Sequence, residues 1–124
     1  LNPAAARLKD GRVMVYGSMG GDGQPQTQAA LFTRYVVQGV PLQESITRPR
    51  WLLGRTWGQT SDTLKLEGRF SPETVARLRA LGHEVELFPD FSEAMGHAGA
   101  IVRHPNGLFE GAFDPRSNGA AAGF

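Results

Sequence analysis

The sequence contains no cysteine. Disulfides, a thiolate nucleophile and cysteine-ligated zinc are therefore excluded, and cysteine usage does not separate cytoplasm from periplasm. Histidine is scarce: His83, His97 and His104 stand apart, without the short spacings of a metal-ligand set, and no metal site is expected. No apolar run approaches the roughly 20 residues of a membrane-spanning helix. Neither sign of charge dominates, because 13 Lys and Arg offset 12 Asp and Glu, for a net charge of +1. That balance gives no pull toward nucleic acid or a membrane surface. No secretion signal is visible, and Leu1-Asn2-Pro3 reads as a cut end, so any targeting signal is expected upstream.

What is present suits a folded domain. The 124 residues are 40% apolar, enough for one core spanning residues 1–124 and too short for two domains. Arg12 to Tyr16 is a short apolar run that reads as a buried strand, preceded by the turn signal Asp10-Gly11 and a hairpin partner at Ala4 to Leu8. The dense glycine segment Gly17-Ser18-Met19-Gly20-Gly21-Asp22-Gly23 then reads as a loop. Pro25 begins a helix that presents Leu31, Phe32, Tyr35 and Val36 on one face and stops at Gly39. A second short helix is expected over Pro41 to Thr47, followed by strands at Arg50 to Leu53 and Thr63 to Glu67 around a polar loop.

Ser71-Pro72-Glu73 is a strong helix start: a capping hydroxyl, proline at the first position and a carboxylate near the positive end. Val75, Leu78 and Leu81 are expected to face inward, with Gly82 as the stop and a strand from His83 to Phe88. Asp90 to His97 reads as a loop with one helical turn. Ala100 to Arg103 and Leu108 to Phe113 then form a hairpin around His104-Pro105-Asn106-Gly107, with positive φ tolerated at both Asn and Gly. These elements predict an α+β fold with a mostly antiparallel sheet and helices on one face.

One segment has a mechanism attached. Consecutive N–H groups of a glycine turn before a helix can hold an anion, either a phosphate or the oxyanion formed when an acyl carbonyl is attacked. The phosphate reading fits poorly, since no Gly-Lys-Ser/Thr follows, the spacing is not Gly-x-Gly-x-x-Gly, and Asp22 would sit beside the phosphates. A plain strand-to-helix turn is the other reading. Ser18 has no histidine in a nucleophile-elbow arrangement to activate it. Arg48, Arg50 and Arg55 interleave with Trp51 and Trp57, which we read as a strand edge with core aromatics and solvated arginines rather than a nucleic-acid surface. Asp114 and Arg116 are close enough in sequence to pin the C-terminal loop.

Gly17 to Gln26 resembles the glycine-pair segment of the gamma-glutamyltranspeptidase family, within the N-terminal nucleophile hydrolases. The similarity continues through Arg48-Pro49-Arg50-Trp51, Phe70-Ser71-Pro72-Glu73, Asp114-Pro115-Arg116-Ser117 and Gly119-Ala120-Ala121-Ala122-Gly123-Phe124, in the family's order along nearly the whole chain. The resemblance implies the C-terminal part of the small subunit, folded as part of an αββα sandwich. It implies a precursor that cleaves itself to free a threonine, which attacks a gamma-glutamyl amide and forms an acyl-enzyme without any cofactor.

By the same resemblance, Gly20 and Gly21 supply the N–H groups of the oxyanion hole. The threonine, a glutamate-binding carboxylate and a serine pair are expected upstream of residue 1, so these residues alone are expected to be inactive. The implied partners are the large subunit, the start of the small subunit and a gamma-glutamyl substrate, with an exposed sheet surface through which copies could associate. Met19 stands where many members have proline, which leaves glutathione, other gamma-glutamyl compounds and cephalosporin-acylase-type amides as substrate readings. A non-catalytic interaction module of the same fold and a nucleotide-binding domain are the rivals from other classes.

Overall fold

The computed structural model describes residues 1–56 and 60–123; Trp57, expected in the core, and Phe124, the end of the closing motif, lie outside the described residues. Strands β1 (Ala4–Arg7) and β2 (Val13–Met19) form the expected antiparallel hairpin. The turn between them is tied by the Asp10 carboxylate, which accepts from the Arg12 backbone N–H at 3.1 Å, and by Gly11 at φ 89°. The strand does not stop at Tyr16 as expected. It runs on to Met19 because β6 (His97–Arg103) pairs with all seven of its residues, and at Gly17 the facing residue is Gly99. A continuous partner ladder outweighs the weak strand preference of glycine.

A 3-10 turn at Gly21–Gly23 leads into α1 (Gln24–Phe32), which continues as a π turn over Thr33–Val37 and ends near Gly39 at φ 69°. Helix α2 (Leu42–Thr47) follows, then β3 (Trp51–Leu53) and β4 (Leu64–Glu67). Helix α3 (Pro72–Ala80) starts as its sequence demands, with the Ser71 hydroxyl accepting from the Thr74 N–H at 3.1 Å. Leu81 is a correction: it is 70% exposed, because the helix has already ended and Leu81 (φ −79°, ψ 1°) has left its inward face. Strand β5 (Val85–Phe88), a 3-10 turn at Glu93–Met95, β6 and β7 (Phe109–Phe113) complete the chain. In the β6–β7 turn only Gly107 has positive φ, at 88°; Asn106 instead accepts the Leu108 N–H with its side chain at 3.1 Å.

The strands make two sheets rather than one. Four antiparallel strands run in the order β1-β2-β6-β7, and three more in the order β3-β4-β5. The second sheet is mixed, with β3 antiparallel and β5 parallel to β4, the parallel pair being bridged by α3. Helix α1 packs on β2, and α2 on β6 and β7. This places Met14, Leu31, Leu42, Ile46, Ala100, Val102 and Ala112 in one core, while a smaller cluster of Leu64, Leu66 and Val75 lies under α3. Full burial of one Leu, Ile or Met side chain is worth about 1.5–3 kcal/mol. Across β2 and β6 the register puts Val15 opposite Ile101 on the other face, where they remain 52% and 55% exposed.

Candidate functional site

The glycine turn sits where β2 gives way to α1. Gly20 adopts φ 130°, ψ 29° and Gly21 φ 54°, the former a conformation that side chains rarely accept. The Gly20 carbonyl accepts from the Gly23 N–H at 3.0 Å and from the Thr56 hydroxyl at 2.9 Å. Among the described residues neither the Gly20 nor the Gly21 N–H donates a turn or loop hydrogen bond to the backbone. Gly20 is half-buried and Gly21 exposed, so both expected donors lie at the surface of the described residues rather than inside the core.

Neighbouring elements press on this turn. A Cβ at Gly20 would stand 3.1 Å from the Cα of Gly96, and one at Gly96 would collide with the Met19 carbonyl oxygen. Gly96 is in turn held by the Arg50 guanidinium, which donates to its carbonyl at 3.1 Å. Gly23 lies over Leu52, whose Cδ2 would be 2.8 Å from an added Cβ. Gln26 fastens α1 to β3 as a strand neighbour would, donating to the Leu53 carbonyl at 2.9 Å and accepting its N–H at 2.8 Å. Two glycines that sequence reasoning did not single out, Gly23 and Gly96, are thus what allow the turn to seat.

An open cleft of about 410 Å³ adjoins the turn, lined by Leu1, Asn2, Pro3, Gly17, Ser18, Met19, His97 and Gly99. Ser18 is 6% exposed and its hydroxyl donates to the Met19 carbonyl at 2.5 Å, an arrangement that engages it rather than presenting it as a nucleophile. The histidines do not converge. His97 borders the cleft with a buried Nε2 that finds no partner among the described residues, whereas His104 pairs with Glu110 at 3.1 Å.

Behind the turn lies a buried ionic network that holds the C-terminal segment. Arg116, 4% exposed, reaches both oxygens of Glu67 at 2.6 Å and Asp114 Oδ1 at 3.0 Å, and donates to the carbonyls of Ile46 and Arg48. Asp114 also accepts from Arg50 and from the Ala98 N–H at 2.7 Å. The pinning role expected for Asp114 and Arg116 is present, and Arg50 and Glu67 enlarge it. Arg50 corrects the reading of solvated arginines: it is 3% exposed while neighbouring Trp51 is 38% exposed. The paired carboxylate on β7's end draws the arginine inward, and the strand alternation then turns Trp51 out.

Burial alone would raise the carboxyl pKa values of Glu67 and Asp114, but their arginine partners and backbone donors hold both below the ordinary carboxylate range. Burial pulls the Arg50 guanidinium down to about 10, against the attraction of Asp114, so it stays charged at neutral pH. A third buried cation, Lys65, gathers the carbonyls of Gly54 at 2.9 Å and Ser61 at 2.8 Å, tying the two ends of the segment between β3 and β4. Nothing local in the sequence shows that Arg50 and Glu67 are buried, because their partners Asp114 and Arg116 arrive only on folding.

With this geometry in place, the comparisons with known proteins are direct. The family model for gamma-glutamyltranspeptidase matches residues 1–124. The chain is 86% identical over its whole length to an oxamate amidohydrolase proenzyme of Klebsiella pneumoniae, of which it covers 24%. It is 46% identical over 89% of its length to the glutathione hydrolase-like YwrD proenzyme of Bacillus subtilis, of which it covers 21%. Its fold matches the crystal structure of the transpeptidase enzyme CapD of Bacillus anthracis with a TM-score of 0.81 at 24% identity, over 99% of this chain and 70% of that one. The chain therefore spans about a quarter of the length of the curated relatives it matches. It belongs to the gamma-glutamyltranspeptidase family, and its α+β fold is one that solved gamma-glutamyltranspeptidases share.

Proposed function

We propose that residues 1–124 provide the oxyanion hole of an amide-cleaving enzyme that works through an acyl-enzyme, with the N–H groups of Gly20 and Gly21 as the donors. The observation that carries this reading is the turn itself: adjacent glycine N–H groups that make no turn or loop bond among the described residues, immediately after Ser18 and Met19, which line an open cleft of about 410 Å³. When a nucleophile adds to an amide carbonyl, the carbonyl oxygen takes up negative charge. Fixed donors aimed at that oxygen stabilise the transition state more than the ground state. The nucleophile is then supplied by another part of the parent protein, so the polypeptide of residues 1–124 alone has no turnover. Its partners are the large subunit and the start of the small subunit.

For the substrate, the gamma-glutamyl reading follows from the family. A second reading has specific support: the relative named an oxamate amidohydrolase is 86% identical, against 46% for the glutathione hydrolase-like one. We place the parent protein with small-amide hydrolases on that ground. The full-length, self-cleaved protein should release ammonia from oxamate faster than it releases chromophore from a gamma-glutamyl anilide. The reverse preference would return it to the gamma-glutamyl class, and activity on neither would favour the non-catalytic module.

A further inference from the structure

We infer that Thr56 is a positioning residue for the oxyanion hole, its hydroxyl setting the direction in which the Gly21 N–H points. The inference rests on the oxyanion reading of the turn and extends it to a side chain from a different part of the chain. The peptide joining Gly20 to Gly21 is trans, so its carbonyl and its N–H point in opposite directions. Whatever grips the Gly20 carbonyl therefore aims the Gly21 N–H. Among the described residues two groups do so: the Gly23 N–H at 3.0 Å, from within the same tight turn, and Thr56 Oγ1 at 2.9 Å, from 36 residues away.

The two grips differ in what they can fix. The Gly23 bond moves with the turn it belongs to, so it limits the turn's shape and not its tilt. The Thr56 bond ties the same carbonyl to the segment after β3, outside the turn. Thr56 is 6% exposed, and its hydroxyl would lie 3.3 Å from a Cβ at Gly23, so a glycine there is what lets it approach. Its own segment is anchored at Gly54, whose carbonyl accepts from Lys65 at 2.9 Å and whose N–H donates to the Thr63 carbonyl at 3.1 Å. The preceding peptide is arranged in the same way: the Met19 carbonyl, opposite the Gly20 N–H, accepts from Ser18 Oγ. Each of the two donating peptides thus carries a hydroxyl on its carbonyl side.

A tether that only holds the segment in place would affect stability; one that aims a donor affects the chemical step. Thr56→Val keeps the shape and removes the hydroxyl, while Gly23 still satisfies the Gly20 carbonyl. In the full-length, self-cleaved enzyme assayed on its best amide substrate, Thr56→Val should lower kcat by about 10- to 100-fold, with KM and melting temperature unchanged. Thr56→Ser, which restores the hydroxyl, should recover most of the loss. Thr56→Ala serves as a second hydroxyl-free variant if the valine does not mature. Gly21→Ala is measured alongside. If Gly21→Ala loses turnover while both hydroxyl-free variants keep wild-type kcat, the positioning role is wrong and the oxyanion reading stands. If mature Gly21→Ala keeps full turnover, the oxyanion reading fails and this inference with it. A loss in Thr56→Val that serine does not recover also overturns it, since the hydroxyl would then not be the cause.

Discussion

Arg50 and Asp114, 64 residues apart in sequence, form an ion pair whose side chains are 3% and 0% exposed. The same Asp114 oxygen takes the Ala98 N–H, and the same Arg50 nitrogen reaches the Gly96 carbonyl. One pair thus joins the C-terminal segment, the start of β6 and the glycine that backs the candidate oxyanion turn.

Asp114→Asn keeps the shape of the side chain but removes the charge that two buried arginines share. An uncompensated buried charge is the costly outcome, about 3–5 kcal/mol when one partner of a buried pair is lost. The full-length protein carrying Asp114→Asn should therefore unfold at distinctly lower urea concentration than the parent. An unchanged midpoint would mean that the network is not what holds the C-terminal segment.

The same carboxylates predict acid sensitivity. Glu67 and Asp114 have folded-state pKa values below their ordinary 4.5 and 3.8, so the unfolded chain binds protons more tightly than the folded one. Stability from these groups is complete above the unfolded values and is lost as pH falls through the folded ones. Melting temperature should be flat from neutral pH to about pH 5 on this account and drop below about pH 4. In the Asp114→Asn protein that acid limb should be shallower; an equally steep limb would assign it to other groups.

Much of this architecture was legible in local sequence, and the reasons are specific. Ser71-Pro72-Glu73 started α3 because capping is settled within one turn, and Asp114-Pro115-Arg116 announced an ion pair because its members are two residues apart. The β2 extension through Gly17 was hidden, since it depends on β6 arriving opposite. The burial of Arg50 is not legible locally, because its partner is distant in sequence. Gly20 and Gly21 could be named from their motif, but Thr56 and Gly96 touch the turn only through tertiary contacts.

The outer face of the four-stranded sheet gives a prediction about association. Val15, Ile101 and Phe109 are 52%, 55% and 70% exposed there, beside a groove of about 390 Å³. An apolar face of this kind is usually covered by a partner, which we take to be the rest of the parent protein. The polypeptide of residues 1–124 alone should therefore self-associate with rising concentration in sedimentation and bind a hydrophobic dye. Ile101→Lys should reduce both. A dye-free monomer at every concentration would count against a face built to be covered.

The two glycines of the turn should respond differently to substitution, and the difference separates chemistry from folding. Gly20 has φ 130°, and a methyl there would press on Gly96 at 3.1 Å, so Gly20→Ala should lower both stability and turnover. Gly21 has φ 54°, in the left-handed region that an L-residue enters for roughly 1–2 kcal/mol. Gly21→Ala should therefore fold with only a modest loss of stability. On the proposed role, a methyl beside the Gly21 N–H would displace that donor from the developing oxyanion. Loss of one such donor typically lowers kcat by about 100- to 1000-fold. The effect belongs to the transition state, so KM should change little. Both variants must be compared as mature protein, because failed self-cleavage would imitate a catalytic defect. Melting temperature and steady-state kinetics together decide the matter: a folded, mature Gly21→Ala enzyme with unchanged kcat would reduce the glycine pair to a tight turn.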